Sequence, residues 1–422
     1  MKCLQFCFII LKRQDKEHPR SINRKKFKGI FMNKKDLVIG IPKEIYEGCR
    51  CVAVVPDMVK RLVKAGHKVI VQKDAGIKAF YKNEFYQEAG AVLIDEATEV
   101  YGQANVILKI RTPLVNEELN KHELELMNQG ATIISFLSPT LEPKIVQKLI
   151  DHKLTGFGME LIPRISRAQS MDALSSLSTV MGYRAVLLAT NFLGKFFPLL
   201  MTAAGTIRPA NVLVIGAGVA GLQAIAVSHR LGARVESFDT RPAVKEQVES
   251  LGARFIEMEL PEDMETKYGY AKEASEEFIK KEMEAIGGRL PKTDVVISTA
   301  LVYGRKAPLL ITEDMVKMMS PGSVIIDLAA EQGGNCALTE LGKTVQKYDV
   351  TIHGPKDLPS QLPLHTSLMY SQNVINAFNN LYQAEDDTID LEDEINANAL
   401  ATYKGEIVSE LVKNSFNKSG EK

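Results

Sequence analysis

Residues 211–221 read NVLVIGAGVAG, an apolar run ending in glycines spaced Gly216-x-Gly218-x-x-Gly221 and passing into LQAIAVSHRLG. Few arrangements of a chain satisfy that order. A buried strand must turn sharply, with no side chain at the turn, straight into a helix. Gly216 permits the tight turn, Gly218 lets the backbone approach a pyrophosphate, and Gly221 lets the helix pack close to the strand. Ala217 and Val219, between the glycines, join them as candidate nucleotide contacts. Amides at the helix N-terminus, with the positive end of the dipole behind them, suit phosphates. The next predicted strand, RVESFD, ends in Asp239, eighteen residues beyond Gly221. A carboxylate there hydrogen-bonds a ribose 2′-OH and repels a 2′-phosphate, which favours NAD(H) over NADP(H). Arg241 is a mild counter-signal, since an arginine can receive a phosphate; at a surface or over an adenine it carries no such meaning. Thr240 and Arg241, with Thr299, Ala300 and Leu301 at the end of DVVISTA, complete the candidate contacts.

The rest of the chain repeats the same alternation. LVIGIP, HKVIVQ, AVLID, ANVILKI and ATIISFL read as strands, with helices in DMVKRLVKAG and YKNEFYQEAG between them. ALSSLSTVMGYRAVLLATNFLG reads as one long helix leading into the glycine motif. ARFIEM, DVVISTA, SVIIDLA and VTIHG follow as further strands. Strands alternating with helices imply mostly parallel sheets covered by helices. At 422 residues the chain is too long for one typical core. The expectation is two Rossmann-like α/β lobes with a nucleotide cleft between them: a first lobe over 32–165, completed by about 356–422, and a nucleotide-binding lobe over 166–355. The final stretch from LPSQLPLHTSLMYSQNVINAF is expected to be helical and to pack back onto the first lobe. Residues 1–31 read as a disordered extension ahead of Met32. Their apolar run precedes its basic residues and lacks a cleavage site, unlike a signal peptide.

Composition narrows the partners. With 52 basic and 52 acidic residues, nothing suggests nucleic acid or a charged membrane surface. The longest apolar stretch, FLGKFFPLLMTAAG, is broken by Lys195 and Pro198, too short to span a bilayer. Five cysteines at irregular spacing give no disulfide framework. Cys49-Arg-Cys51 has no clustered histidine or cysteine to make it a metal site, and none is expected.

A second polar concentration precedes the long helix, in PRISRAQSMDALSS. Ser170 can serve as N-cap, placing Asp172 in the first turn where the macrodipole favours a carboxylate. That account covers Asp172 and Ser175 but not Arg164, Arg167 and Gln169. On the residues alone, capping and chemistry both stay open.

Taken together, PRISRAQSMDALSS, VLVIGAGVAGLQAIAVSHRLGA, GYAKE, PGSVIIDLAAEQGGN, IGIPKE and NVILKIRTP resemble the alanine dehydrogenase/transhydrogenase family. Within it the match is to the NAD(H)-binding component of proton-translocating transhydrogenases, from about Lys35 to the C-terminus. The resemblance implies that Arg164, Gln169, Asp172 and Ser175 surround the nicotinamide ring, with Gln169 reaching toward an incoming NADP(H). It implies that Tyr270 closes over bound nucleotide, here preceded by Tyr268-Gly269 where glycines are common. It further implies a homodimer, cytoplasmic and peripherally attached, with a separate NADP(H)-binding component and a membrane component that moves protons.

The family's two chemistries ask for different residues. Oxidising alanine needs a general acid/base, because an amine is deprotonated and an imine hydrolysed. The dehydrogenase lysine corresponds to Lys109. Its histidine falls near Ser138, and its arginine at Cys51 with Arg50 one residue early. Hydride transfer between two nicotinamides instead needs aligned rings and no proton transfer. None of the seven histidines lies in the polar cluster. The expectation is therefore the transhydrogenase reaction, with an amino-acid dehydrogenase or a non-catalytic NAD-binding protein as alternatives.

Overall fold

The apolar runs read as strands all lie in two sheets, and the amphipathic runs between them form helices. In the computed structural model the described residues are 37–258, 276–301, 306–383 and 388–420, all within one unit, Lys34–Lys422. The extension 1–31 and Tyr268, Gly269 and Tyr270 lie outside the described residues. DMVKRLVKAG forms α1 (Pro56–Lys64), and the long predicted helix is α2 (Ala173–Phe192). The glycine motif leads into α3 (Val219–Arg230), and the last stretch supplies α4 (Pro363–Leu381) and α5 (Glu394–Ala399).

The first sheet has Val38–Ile41 and Val106–Leu108 at its centre. Lys68–Gln72 and Val92–Ile94 lie on one side, Thr132–Ser135 and Thr155–Gly158 on the other, all parallel. Numbered along the chain, these six run third, second, first, fourth, fifth, sixth. The second sheet repeats that order through Arg254–Phe255, Arg234–Phe238, Asn211–Ile215, Val295–Ser298, Val324–Asp327 and Val350–His353. An antiparallel strand, Thr344–Lys347, closes its edge. Both are doubly wound sheets whose order reverses beside the first strand, where a crevice opens at the carboxyl ends.

Register brings the distant segments of the nucleotide motif together. Ile215 lies opposite Phe238 on one side and Ser298 on the other. The next residues of all three strands, Gly216, Asp239 and Thr299, therefore emerge side by side. The strands can be apolar throughout because both faces are covered. Val212 and Val214 enter the core under α2 and α3, while Leu213 and Ile215 enter the core on the opposite face.

The expectation that the last stretch is helical needs correction. After α5 the chain adds Leu400–Tyr403 antiparallel to Thr155–Gly158, then Glu406–Ile407 as a hairpin partner. Four residues, LATY, carry no period long enough to separate strand from helix. The left-handed Lys404 (φ 49°) and Gly405 (φ 88°) make the turn between them. The same stretch does pack onto the first lobe: Tyr370, Val374, Phe378 and Leu381 of α4 lie in the first sheet's core.

The segments joining the lobes are tied down. Arg111, following Val106–Leu108, pairs with Asp357, whose other oxygen accepts from Ser360 Oγ (2.6 Å). Ser360 Oγ in turn accepts the Arg50 amide (3.0 Å). On the forward crossing, α2 lies against α3 at very close range: a Cβ on Gly182 would stand 2.1 Å from the Ala220 carbonyl oxygen. Gly182→Ala should therefore push the two helices apart and destabilise the fold by about 1–3 kcal/mol. Gly102→Ala, where a Cβ meets nothing within 4 Å, should be neutral or stabilising by up to about 1 kcal/mol. Urea unfolding of the two variants checks this, and equal midpoints would contradict the close contact.

Candidate functional site

The glycine loop has the geometry of an anion cradle. Gly216 has φ 92°, and a Cβ there would meet Thr299 Oγ1 at 2.6 Å. A Cβ on Gly221 would lie 1.8 Å from the Gly216 carbonyl oxygen, so Gly221 closes the loop on itself as well as seating the helix. Gly218 differs: a Cβ there meets nothing within 4 Å, leaving open space above the loop. Gly218 is the N-cap of α3 and no side chain caps it, so the first-turn amides of Val219 and Ala220 stand at an open helix end.

Asp239 is only 7% exposed and organises this end of the sheet. Oδ2 accepts the Ala217 amide (2.6 Å) and Arg241 Nη2 (2.9 Å). Oδ1 accepts the Arg241 amide (2.8 Å) and Nε (2.9 Å). Arg241 is thus folded back as a fork on Asp239, not extended as a surface charge. Four donors occupy all the lone-pair positions a carboxylate offers. Thr240 sits half-buried between them. Glu282, which sequence reasoning missed, is a second buried carboxyl nearby; burial first, and then the charge of Asp239, push it up to about 7.

Thr299 Oγ1 donates to the carbonyls of Ile215 (3.2 Å) and Gly216 (3.0 Å), closing the loop from the far side. Ala300 is held by Asn335, whose Oδ1 accepts its amide (3.1 Å) and whose Nδ2 donates to its carbonyl (2.9 Å). Asn335 is fixed in turn by Asp327, which accepts its amide (2.8 Å) and Thr339 Oγ1 (2.7 Å). Leu301 is exposed. Asn335 lies in the EQGGN motif, but the task of a buried asparagine is invisible until the loop it clamps is known.

In the polar cluster the capping assignment changes. Asp172, not Ser170, is the N-cap of α2: Oδ1 accepts the Ser175 amide (2.9 Å) and Oδ2 accepts Ser175 Oγ (2.6 Å). Ser170 belongs to a 3₁₀ turn, Ser166–Met171, that runs up to the helix. The serine lost the cap because that turn delays the α-helix by two residues. Arg164 and Gln169 stand exposed, and the Gln169 carbonyl accepts the Asp172 amide (3.3 Å), which ties the turn to the cap. Ten residues, about 15 Å of helix axis, separate Asp172 from Gly182, which touches the glycine loop.

A groove of about 680 Å³ elsewhere on the second lobe is lined by Met283, Met315 and Met318 and contains none of the candidate residues. It lacks the open helix end that marks the glycine loop.

The positions matching an amino-acid site are filled differently. Lys109 is 1% exposed and locked between Glu123 (2.9 Å) and Glu44 (3.2 Å). Burial alone would drive its ammonium down, but the charges of Glu123 and Glu44 outweigh it and hold the proton. Cys51 is buried against the Pro359 carbonyl and Ser360, while Arg50 is exposed over the Phe80 ring. Ser138, at φ 50°, gives its amide to Glu160.

With this geometry in hand, the chain can be set against known proteins. Residues 40–181 match the alanine dehydrogenase/PNT N-terminal domain and residues 185–410 the alanine dehydrogenase/PNT C-terminal domain. The chain belongs to this family. It is 46% identical over 374 residues to the first portion of NAD(P) transhydrogenase subunit alpha of Rhodospirillum rubrum, covering 88% of this chain and 97% of that one. It is 43% identical to NAD(P) transhydrogenase subunit alpha of Haemophilus influenzae, over 85% of this chain and 69% of that one. A crystal structure of transhydrogenase from Sinorhizobium meliloti superposes with a TM-score of 0.78 at 37% identity, over 88% of this chain and all of that one.

Glu160 allows a pH test of this region. Its carboxylate accepts the Leu137 amide (2.9 Å), yet burial pushes it from 4.5 up to about 7 against those hydrogen bonds. Between those values the folded state holds more protons than the unfolded one. Stability contributed by the protonated group is therefore present below pH 4.5 and lost as pH rises through 7, by about 3 kcal/mol in all. Glu160→Gln removes this dependence. Relative to the parent, it should be more stable at pH 8 than at pH 5; an equal difference at both, in urea unfolding, would contradict the assignment.

Proposed function

We propose that this chain is the NAD(H)-binding alpha subunit of a proton-translocating transhydrogenase. Hydride passes directly between NAD(H) held here and NADP(H) held by a partner component, and a membrane subunit couples the transfer to proton movement. The lobe of residues 166–355 carries the nucleotide, and the lobe of 32–165 with 356–422 backs the polar loop. One observation carries the reading most: the open end of α3 is tied through Gly182 to a helix whose own N-cap is the Asp172–Ser175 pair.

Each side chain then has a task. Val219 and Ala220 amides bind the pyrophosphate. Asp239 orients the adenosine ribose, and because its lone pairs are all engaged, a 2′-OH must displace part of the Arg241 fork. The freed guanidinium can lie against the adenine. Asp172 and Ser175, already fixed on one another, orient the carboxamide together with Arg164. Gln169, on the exposed side of its turn, meets the second nucleotide. The nicotinamide itself supplies the hydride chemistry, so the protein's part is alignment and the exclusion of water. Tyr270, outside the described residues, closes the site by family resemblance.

The alanine dehydrogenase reading fares worse on this geometry. A substrate carboxylate would have to break Lys109 out of a buried ion triad with Glu44 and Glu123. Cys51 brings no charge to the second position, and Ser138 no acid or base to the third.

We further propose a homodimer, located in the cytoplasm and attached peripherally to its membrane partner. The antiparallel hairpin Leu200–Thr202 with Gly205–Ile207 supports self-association, because it carries Met201 at 82% exposure, beside exposed Leu199 and Phe196. No helix among the described residues is long and apolar enough to cross a membrane.

The isolated chain should bind NADH at least tenfold more tightly than NADPH, on the order of 1.4 kcal/mol. Asp239→Asn should narrow that ratio. Fluorescence titration with both nucleotides checks it, and equal affinities for the parent chain would sink the ribose assignment.

A further inference from the structure

A 3₁₀ turn repeats every three residues, so Ser166–Met171 presents three distinct faces. Ala168 and Met171, with Ile165 ahead of them, face the core of the first lobe. Ser166 and Gln169 are exposed, in line with Asp172. The third face, Arg167 and Ser170, is gripped from outside. The Ser170 carbonyl accepts from both Asn373 Nδ2 (2.9 Å) and Asn376 Nδ2 (3.0 Å), two amides one turn apart on α4. Arg167 Nη1 pairs with Asp393 Oδ2 (2.7 Å) and donates weakly to Asn380 (3.4 Å), one helical turn further along the same face of α4. The other oxygen of Asp393 caps α5 by accepting the Ile395 (3.0 Å) and Asn396 (3.1 Å) amides.

We propose that Asn373, Asn376 and the Arg167–Asp393 pair are positioning residues for hydride transfer: they fix the rotation of the turn and so the direction of Gln169. This rests on the transhydrogenase reading above. The turn has no side-chain cap of its own, and 3₁₀ hydrogen bonds are too poorly aligned to hold one orientation. Alignment of two rings tolerates little error, so the support must come from elsewhere. Asn373 shows the cost of supplying it. Its Oδ1 is buried without a hydrogen-bond partner, while its Nδ2 is kept on Ser170. A position selected only for stability would shed that unsatisfied oxygen.

The test measures NADH affinity by fluorescence and hydride transfer to NADP⁺ in single turnover, on the full chain mixed with an NADP(H)-binding component. Asn376→Ala and Arg167→Ala should slow transfer at least tenfold while changing NADH affinity less than threefold, the same pattern expected of Gln169→Asn. Asp393→Asn keeps a competent helix cap but loses the ion pair. It should slow transfer without lowering thermal stability, and Arg167→Ala/Asp393→Asn should be no slower than Arg167→Ala alone. Variants that transfer at the parent rate overturn the positioning role, as do variants that lose affinity and rate equally. A parent chain that transfers no hydride at all overturns the underlying reading, and this proposal with it.

Discussion

The contact between Gly182 of α2 and Ala220 of α3 sets the dimensions of everything described above. Because the two backbones meet there with no room for a side chain between them, the N-terminus of α2 is set one stretch of helix away from the glycine loop. The polar cluster caps α2, and the glycine loop runs into the open end of α3. Two sites far apart in sequence are thereby held by a backbone contact that tolerates no side chain. Fixing both loops in advance removes the cost of ordering them when a ligand arrives.

The electrostatics divide along the same line. In the first lobe, charge is buried and spent on itself: Lys109 with Glu44 and Glu123, and Arg111 with Asp357. Breaking such triads leaves an uncompensated buried charge, so they act as fixed framework. In the second lobe, Asp239 is also buried but is paired with a neighbour two residues along the chain, Arg241, at the mouth of the glycine loop. That difference underlies the proposal that the first lobe takes no carboxylate substrate while the second takes a ribose.

Much of the fold was legible because it rests on periods and glycines. Strands covered on both faces are apolar throughout, and the NVLVIGAGVAG segment has few other ways to fold. What was not legible depends on residues far apart in the chain. Ser170 read as a helix cap because a 3₁₀ turn and a first α-helical turn share their polar residues. Lys109 could be matched to the dehydrogenase lysine, but its ion partners could not be read, because they lie 65 and 14 residues away. Asn373, Asn376 and Asn380 lie on a long helix about 200 residues from the turn they hold, so no local pattern points to their partners. The strand Leu400–Tyr403 is too short to show a period and forms only because Thr155–Gly158 offers it an edge.

The central claim is that hydride moves directly between two nucleotides with no protein acid or base. The most direct measurement mixes the chain with an NADP(H)-binding component, NADP⁺ and NADH carrying deuterium at the transferred C4 position, in ordinary water. The account predicts that the NADPH formed retains the deuterium and that L-alanine with NAD⁺ gives no reaction. Loss of the label to solvent, or oxidation of alanine by the chain alone, would contradict it.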